Sequence, residues 1–268
     1  MRSKCRGVLL AGVVVFALGA GVTASASATV SGPYFKNGAG VLGEGQTVAL
    51  KVKRESSTSL LYWDGLSTKG ALVACRAVSG EVKAYNEYVK GVLSEGRLKE
   101  AKIVLEDCNL VENHTCEVNG KEEASIPLEH ALGRLGYKPG ATEKEREEGK
   151  GVEELFYSEA GKSFSTLQFT NKPPETCTLP STKWPMTGGI IWTGSPVNGL
   201  ATSLSMVTKV VQNRGTHHFE AELTTINFPA FGETLTGQEI KLGSNIFSLE
   251  TEELGLTPPA GVELGVFT

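Results

Sequence analysis

The sequence predicts an all-β protein: a mostly antiparallel sandwich or barrel with little helix. Two patterns carry this reading. Apolar and β-branched residues alternate with polar ones at period two in many short runs, and turn dipeptides separate the runs. The 32 glycines among 268 residues fit a chain with many tight turns.

The elements follow in chain order. Arg2, Lys4 and Arg6 precede an apolar run from Gly7 to Val22, and Ala24-Ser25-Ala26 and Ala26-Ser27-Ala28 supply small-residue cleavage sites. This is the layout of a secretory signal peptide, expected to leave after Ala28 and to take Cys5 with it. The apolar run is shorter than the ~20 residues of a spanning helix, and no later stretch is apolar enough to span. Residues 1–28 are thus read as a signal and 29–268 as a single β-rich domain, secreted or held in the cell envelope, with no membrane span in the mature chain. Next comes Gly38-x-Gly40-x-x-Gly43, the spacing of a dinucleotide loop. Such a loop needs a helix after it, and here Glu44-Gly45-Gln46 leads into a strand, so the glycines read as consecutive turns and no nucleotide cofactor is expected.

"TVALKVK" (47–53) places Val48, Leu50 and Val52 on one strand face. "AKIVLED" pairs Ile103 with Leu105, "SFSTLQF" sets Leu167 and Phe169 opposite Phe164, Thr166 and Gln168, and "HHFEAEL" alternates Phe219, Ala221 and Leu223 with charged residues. Asn37-Gly38, Asn119-Gly120 and Asn198-Gly199 are the strongest hairpin signals. Two stretches have helical spacing. "YNEYVKGVLSEGRLKEA" (85–101) carries Val89, Val92 and Leu93, but Gly91 and Gly96 each cost about 1 kcal/mol in a helix; it reads as a surface excursion with room for one helical turn. "LEHALGRLGY" (128–137) sets Leu128, Ala131, Leu132 and Leu135 on one face and is the candidate short helix. "TEKEREEGKGVEE" (142–154) is a solvated charge run. Charged residues are denser before it than after it, so two β subdomains joined near 139–154 are the alternative to a single domain.

Four cysteines remain after the signal: Cys75, Cys108, Cys116 and Cys177. An even count in an exported chain implies disulfides, with three possible connectivities. Loop-closure entropy does not separate them: Cys108–Cys116 with Cys75–Cys177 gives about 7 kcal/mol, and Cys75–Cys108 with Cys116–Cys177 about 8. Locality favours the first scheme, because "CNLVENHTC" can fold back on itself as a hairpin. No C-x-x-C pair suggests zinc.

"ALVACRAVSGEV", "IVLEDCNLVENHTCEV", "PLEHALGRLGY" and the later Phe169 and Cys177 occur in an order that resembles a family of exported, uncharacterised actinobacterial proteins. "FKNGAGVLGEGQT" and "GETLTGQEIKLGSNIFSLETEELGLT" look like that family's opening and tail. Asp107 stands where the family has Gly before its second cysteine, and "TNKPPET" is inserted between Phe169 and Cys177. The resemblance implies export and a β-rich fold, but no activity and no functional residue.

His218, Glu220 and Glu222 share a strand face beside His217, ~7 Å apart along it; with a further ligand they could hold a divalent metal. The alternation of Phe219, Ala221 and Leu223 explains them equally as a solvated face, so no metal is expected. No G-x-S-x-G elbow is present, and His114 and His130 stand in no catalytic motif. Trp63, Trp184, Trp192 and Tyr62 could form a stacking platform for sugars, though core packing accounts for them as well. Asn113-His114-Thr115 matches a glycosylation sequon, but the pattern is short and no modification is read from it. The formal net charge is −4, and basic residues are interspersed with acids, so nucleic acid is not an expected partner. The reading that follows is a non-catalytic extracellular or envelope-associated binding module, with an envelope component or polysaccharide as the partner class. A secreted hydrolase and a self-associating surface protein are the alternatives.

Overall fold

The computed structural model of the chain describes residues 32–54, 59–63, 71–110, 114–179, 181–195, 197–208, 210–213, 218–221, 225–228, 233–236, 240–242, 245–250 and 254–268. They form an all-β fold in which the strand pairs are antiparallel. The strands are β1 (Tyr34–Asn37), β2 (Gly40–Val41), β3 (Thr47–Arg54), β4 (Ser59–Trp63), β5 (Ala71–Val89), β6 (Val92–Leu110), β7 (Cys116–Val118), β8 (Ala124–Leu128), β9 (Ala131–Tyr137), β10 (Val152–Ser158) and β11 (Ser165–Asn171). They continue as β12 (Lys183–Thr187), β13 (Gly189–Ser195), β14 (Leu204–Thr208), β15 (Val210–Asn213), β16 (His218–Ala221), β17 (Thr225–Phe228), β18 (Glu233–Thr236), β19 (Ile240–Leu242), β20 (Asn245–Glu250), β21 (Leu254–Thr257) and β22 (Leu264–Phe267). Of the two expected architectures, it is the barrel-like closure that forms. No helix among the described residues is long and apolar enough to cross a membrane.

The organising element is the hairpin of β5 and β6, 19 residues each. Its turn is Lys90-Gly91, with φ of 52° and 77°; positive φ at both centre residues is what a type I′ turn requires. The stretch 85–101 is therefore the tip of a long hairpin. The helical spacing of its valines is incidental, and the alternation Val82, Ala84, Asn86 on the buried face decides the structure. Each half of the hairpin seeds its own ring of strands. Around the tip half, pairing runs from β3 to β5, β6, β9, β10, β13, β14 and β21 and back to β3, a closed circuit. Around the base half, β5 pairs with β4, β4 with β20, β20 with β19, β19 with β12, β12 with β11 and β11 with β7, while β6 pairs with β8. The β7–β8 turn completes this second ring, with Asn119 and Gly120 at φ of 51° and 71° as their dipeptide predicts.

The inward faces expected of β3 and β11 are observed, whereas the side chains of Phe219, Ala221 and Leu223 lie outside the described residues. Val48, Leu50 and Val52 point inward from β3, and Leu167 and Phe169 from β11. Each such side chain contributes roughly 1.5–3 kcal/mol on burial. One continuous apolar cluster fills both rings, and Phe156 stacks on Phe164 at 5.8 Å where the rings meet. The candidate helix at 128–137 is instead the end of β8 and all of β9, where Ala131, Leu135 and Tyr137 face the core. Gly133 lies between them, because a Cβ there would collide with Glu154 and Leu98. The charge run holds one short helix, Glu143–Glu147, capped by Thr142 and Glu145 with no buried residue; it links β9 to β10, which pair with each other.

A small sheet of β2, β1 and β22 closes the tip end of the first ring. Phe35 is 2 % exposed and reaches Gly96 and Leu135. Asn86, also buried, holds this sheet in place. Its Oδ1 accepts from the Phe35 N–H at 2.8 Å, and its Nδ2 donates to the carbonyls of Phe35 and Leu42 at 2.9 and 3.0 Å. The Asn37-Gly38 dipeptide does not form a type I′ turn: Asn37 Oδ1 accepts from the Ala39 N–H and shapes the loop to Gly40, φ 126°. Asn198, φ 58°, makes no hairpin either and ties its side chain to Thr268.

The four cysteines form two disulfides, but not the expected pairs. Cys75 bonds Cys108, and Cys116 bonds Cys177. The locality argument for Cys108–Cys116 and Cys75–Cys177 fails because Cys75 and Cys108 face each other in the register of the long hairpin. Directly opposed residues already lie within disulfide reach. Cys116 sits opposite Asn171 at the end of β11, and Asn171 Oδ1 receives the Cys177 N–H at 2.9 Å, turning the chain back to bring Cys177 alongside.

Candidate functional site

The two rings meet at a waist, and two grooves lie there. The first forms where the strand path β12–β13 changes partner. β12 pairs with β11, then the chain bends at Gly188 (φ 109°) and β13 pairs with β10. The β10–β11 turn, residues 159–164, spans the fork and is tied by Ser158 N–H to the Gly188 carbonyl and Phe164 N–H to the Met186 carbonyl. The resulting groove is about 630 Å³, floored by Leu155 and Tyr157 and rimmed by Ser158, Lys162, Ser163, Pro185 and Thr187. Tyr157 is half-buried, and burial pushes its phenol above the usual range, with Arg134 and Arg97 pulling the other way.

The second groove forms at the matching fork of β6, which pairs with β9 through Arg97 and Leu98 and with β8 from Ile103 onward. Between them Glu100, at φ 52°, makes a bulge. This groove, about 700 Å³, is lined by Lys99, Lys102, Val104, Pro127, His130 and Leu132. His130 is exposed at φ 55° in the β8–β9 turn, and its carbonyl accepts the Glu159 N–H at 2.8 Å. Glu159 lines both grooves. Lys162 bonds it at 2.7 Å and holds its carboxyl below the usual range.

Between the tip of the hairpin and the first groove lies a buried charge network. Glu95 is 1 % exposed and accepts from Arg134 Nε at 2.7 Å and from Arg97 Nε at 2.8 Å. Arg97 also faces Glu87 at 3.7 Å. Burial works against the Arg97 charge, but the two carboxylates hold its proton more firmly than usual. On the opposite face of β10, Glu154 points into the core between Val152 and Phe156. Its Oε1 makes no hydrogen bond, and desolvation pushes its carboxyl up to about 8.

The sequence-derived candidates fall elsewhere. Trp184 is partly buried against the core of the second ring. Tyr62 and Trp63 lie on β4, and Trp192 pairs in register with Glu154; their side chains lie outside the described residues. His218 and Glu220 lie on β16, also without described side chains, while His217, Glu222 and Asn113 lie outside the described residues altogether. His114 is exposed in the turn before β7. Among the described residues, no three His, Cys, Asp or Glu side chains are grouped to hold a metal ion. No family model, curated protein or solved structure matches this chain.

Sequence reasoning missed Tyr157, Glu159 and the fork at Gly188, because a change of pairing partner leaves no local pattern. Glu154 did leave a signal: in "VEELFYS" it occupies the same strand face as Val152 and Phe156.

Proposed function

We propose that the protein is an exported, non-catalytic binding module that holds an envelope polysaccharide or a related envelope component in the waist groove over Tyr157. The carrying observation is the composition of that groove: one half-buried aromatic on an apolar floor, with hydroxyls, glycine backbone and the Glu159–Lys162 ion pair around it. An aromatic face with a few polar groups around it suits the mixed apolar and hydroxyl surface of a sugar. The two disulfides are compatible with an oxidising, extracellular setting.

A hydrolase is less favoured. Its acid and base would have to converge on one bond. Glu159 faces the groove with its charge held by Lys162, whereas Glu154 is sealed in the core on the other face of β10. The test is retention of the purified protein on insoluble cell-wall polysaccharide. Wild type should be retained and Tyr157→Ala released, with unchanged far-UV circular dichroism. Equal retention of both proteins would refute the assignment to this groove.

A further inference from the structure

We propose that the two waist grooves form one continuous track for a linear, uncharged glycan, so that recognition is of a chain rather than of a single sugar. This rests on the reading of the first groove as a glycan site and extends it.

Continuity follows from the strand register. Tyr157 of the first groove stands directly opposite Leu132 of the second on the paired strands β9 and β10, and Ser158 stands opposite Ala131. Glu159 lines both grooves, and its N–H is bonded to the His130 carbonyl. The two grooves therefore meet along the paired residues Tyr157 and Leu132 and at Glu159. Each groove falls within the ~300–1,000 Å³ of a small-molecule site, and together they make a path longer than either.

Charge selects the ligand class. Glu159 is paired with Lys162, and Glu100 is paired with Lys83. Lys99 lies 4.6 Å over the Tyr85 ring, and Lys102 stands opposite Glu81 in register. The lining mixes both signs, Lys99, Lys102 and Lys162 with Glu100, Glu129 and Glu159, so no block of one sign awaits a polyanion or polycation. An extended peptide fits less well. Peptides dock on sheets by adding to a strand edge, where their backbone groups find partners, whereas Tyr157 and Leu132, where the grooves meet, are paired with each other. Sugar rings need only an apolar face and scattered hydroxyl partners.

The experiment is isothermal titration of the full mature protein with neutral N-acetylglucosamine and glucan oligosaccharides, comparing a disaccharide with an octasaccharide of the same linkage. The octasaccharide should bind on the order of a hundredfold tighter, as expected when linked subsites are filled together, and its affinity should not change between low and high salt. Pro127→Arg and, separately, Leu132→Arg should reduce octasaccharide affinity to the disaccharide level and leave disaccharide binding intact. Pro127 is exposed, so that variant keeps the test valid if Leu132→Arg misfolds. Equal affinity for the two lengths would overturn the continuous track while sparing the first-groove reading. A steep loss of affinity with salt would overturn the uncharged ligand. Absence of binding at every length would overturn both readings.

Discussion

Glu154→Gln should remove most of the pH dependence of stability that one buried carboxyl imposes on this fold. The Glu154 carboxyl is pushed from an ordinary value of 4.5 up to about 8 by burial alone. The apolar residues Leu98, Leu135, Val152 and Phe156 lie around it or beside it in register, and none offers a charge. In the unfolded chain this group ionises above pH 4.5; in the folded chain it keeps its proton until about pH 8. Its stability contribution is therefore complete below pH 4.5, falls by ~1.4 kcal/mol per pH unit as the unfolded state gains the charge, and levels off above about pH 8. Between pH 5 and pH 8 the loss comes to about 3 to 4 kcal/mol. The glutamine side chain is close in shape and carries no charge at either pH. Urea denaturation at the two pH values measures the effect. The variant should resemble wild type at pH 5 and exceed it at pH 8 by about 3 kcal/mol. Parallel pH profiles for the two proteins would refute the assignment of Glu154 as a neutral buried acid.

Asn86→Ala removes three buried hydrogen bonds and leaves the Phe35 N–H and two carbonyls without that partner; a loss of about 3 kcal/mol in urea denaturation is expected, with increased amide exchange in β1 and β2. Glu95→Ala takes the shared carboxylate from two arginines and should cost about 3 to 5 kcal/mol, read as a drop in melting temperature; a change below 1 kcal/mol would mean that the arginines find equal partners elsewhere. Under mild reduction, Cys116–Cys177 should open first, since Cys177 is partly exposed while Cys75 and Cys108 are fully buried. Mass mapping of alkylated peptides follows the order, and simultaneous loss of both bridges would contradict it. At full oxidation the same map should show Cys75 linked to Cys108.

Much of the strand content was legible because it depends on local alternation. β3 and β11 show this directly: their inward faces follow from "TVALKVK" and "STLQF". Two stretches misled because short apolar spacings of three and four fit a helix as well as a strand. Register resolves that ambiguity, and register is a tertiary property: β9 is a strand because β10 pairs with it over its whole length. The same limit explains the disulfides. Cysteine spacing favoured a nine-residue fold-back, whereas the hairpin brought Cys75 and Cys108 together from 33 residues apart. The grooves were invisible for a further reason. They arise at Gly188 and at the Glu100 bulge, where a strand exchanges one neighbour for another, and no sequence period encodes a neighbour.

The pairing scheme is also a timetable for folding. β1 pairs with β22, β3 with β21 and β4 with β20, so strands nest like brackets around the long hairpin. A chain emerging from its N-terminus first completes β5–β6 locally, with Cys75 facing Cys108, while β1 and β4 still lack the partners that arrive with residues 245–268 and β3 has only its pairing with β5. Closure of long brackets is slow, and unpaired strand edges invite association in the interval. A chain truncated before Asn245 has no β21 to close the tip ring and no β22 to pair with β1. Such a fragment should keep the pairs made before residue 245 but close neither ring, and native-like proteolytic resistance in it would contradict this order.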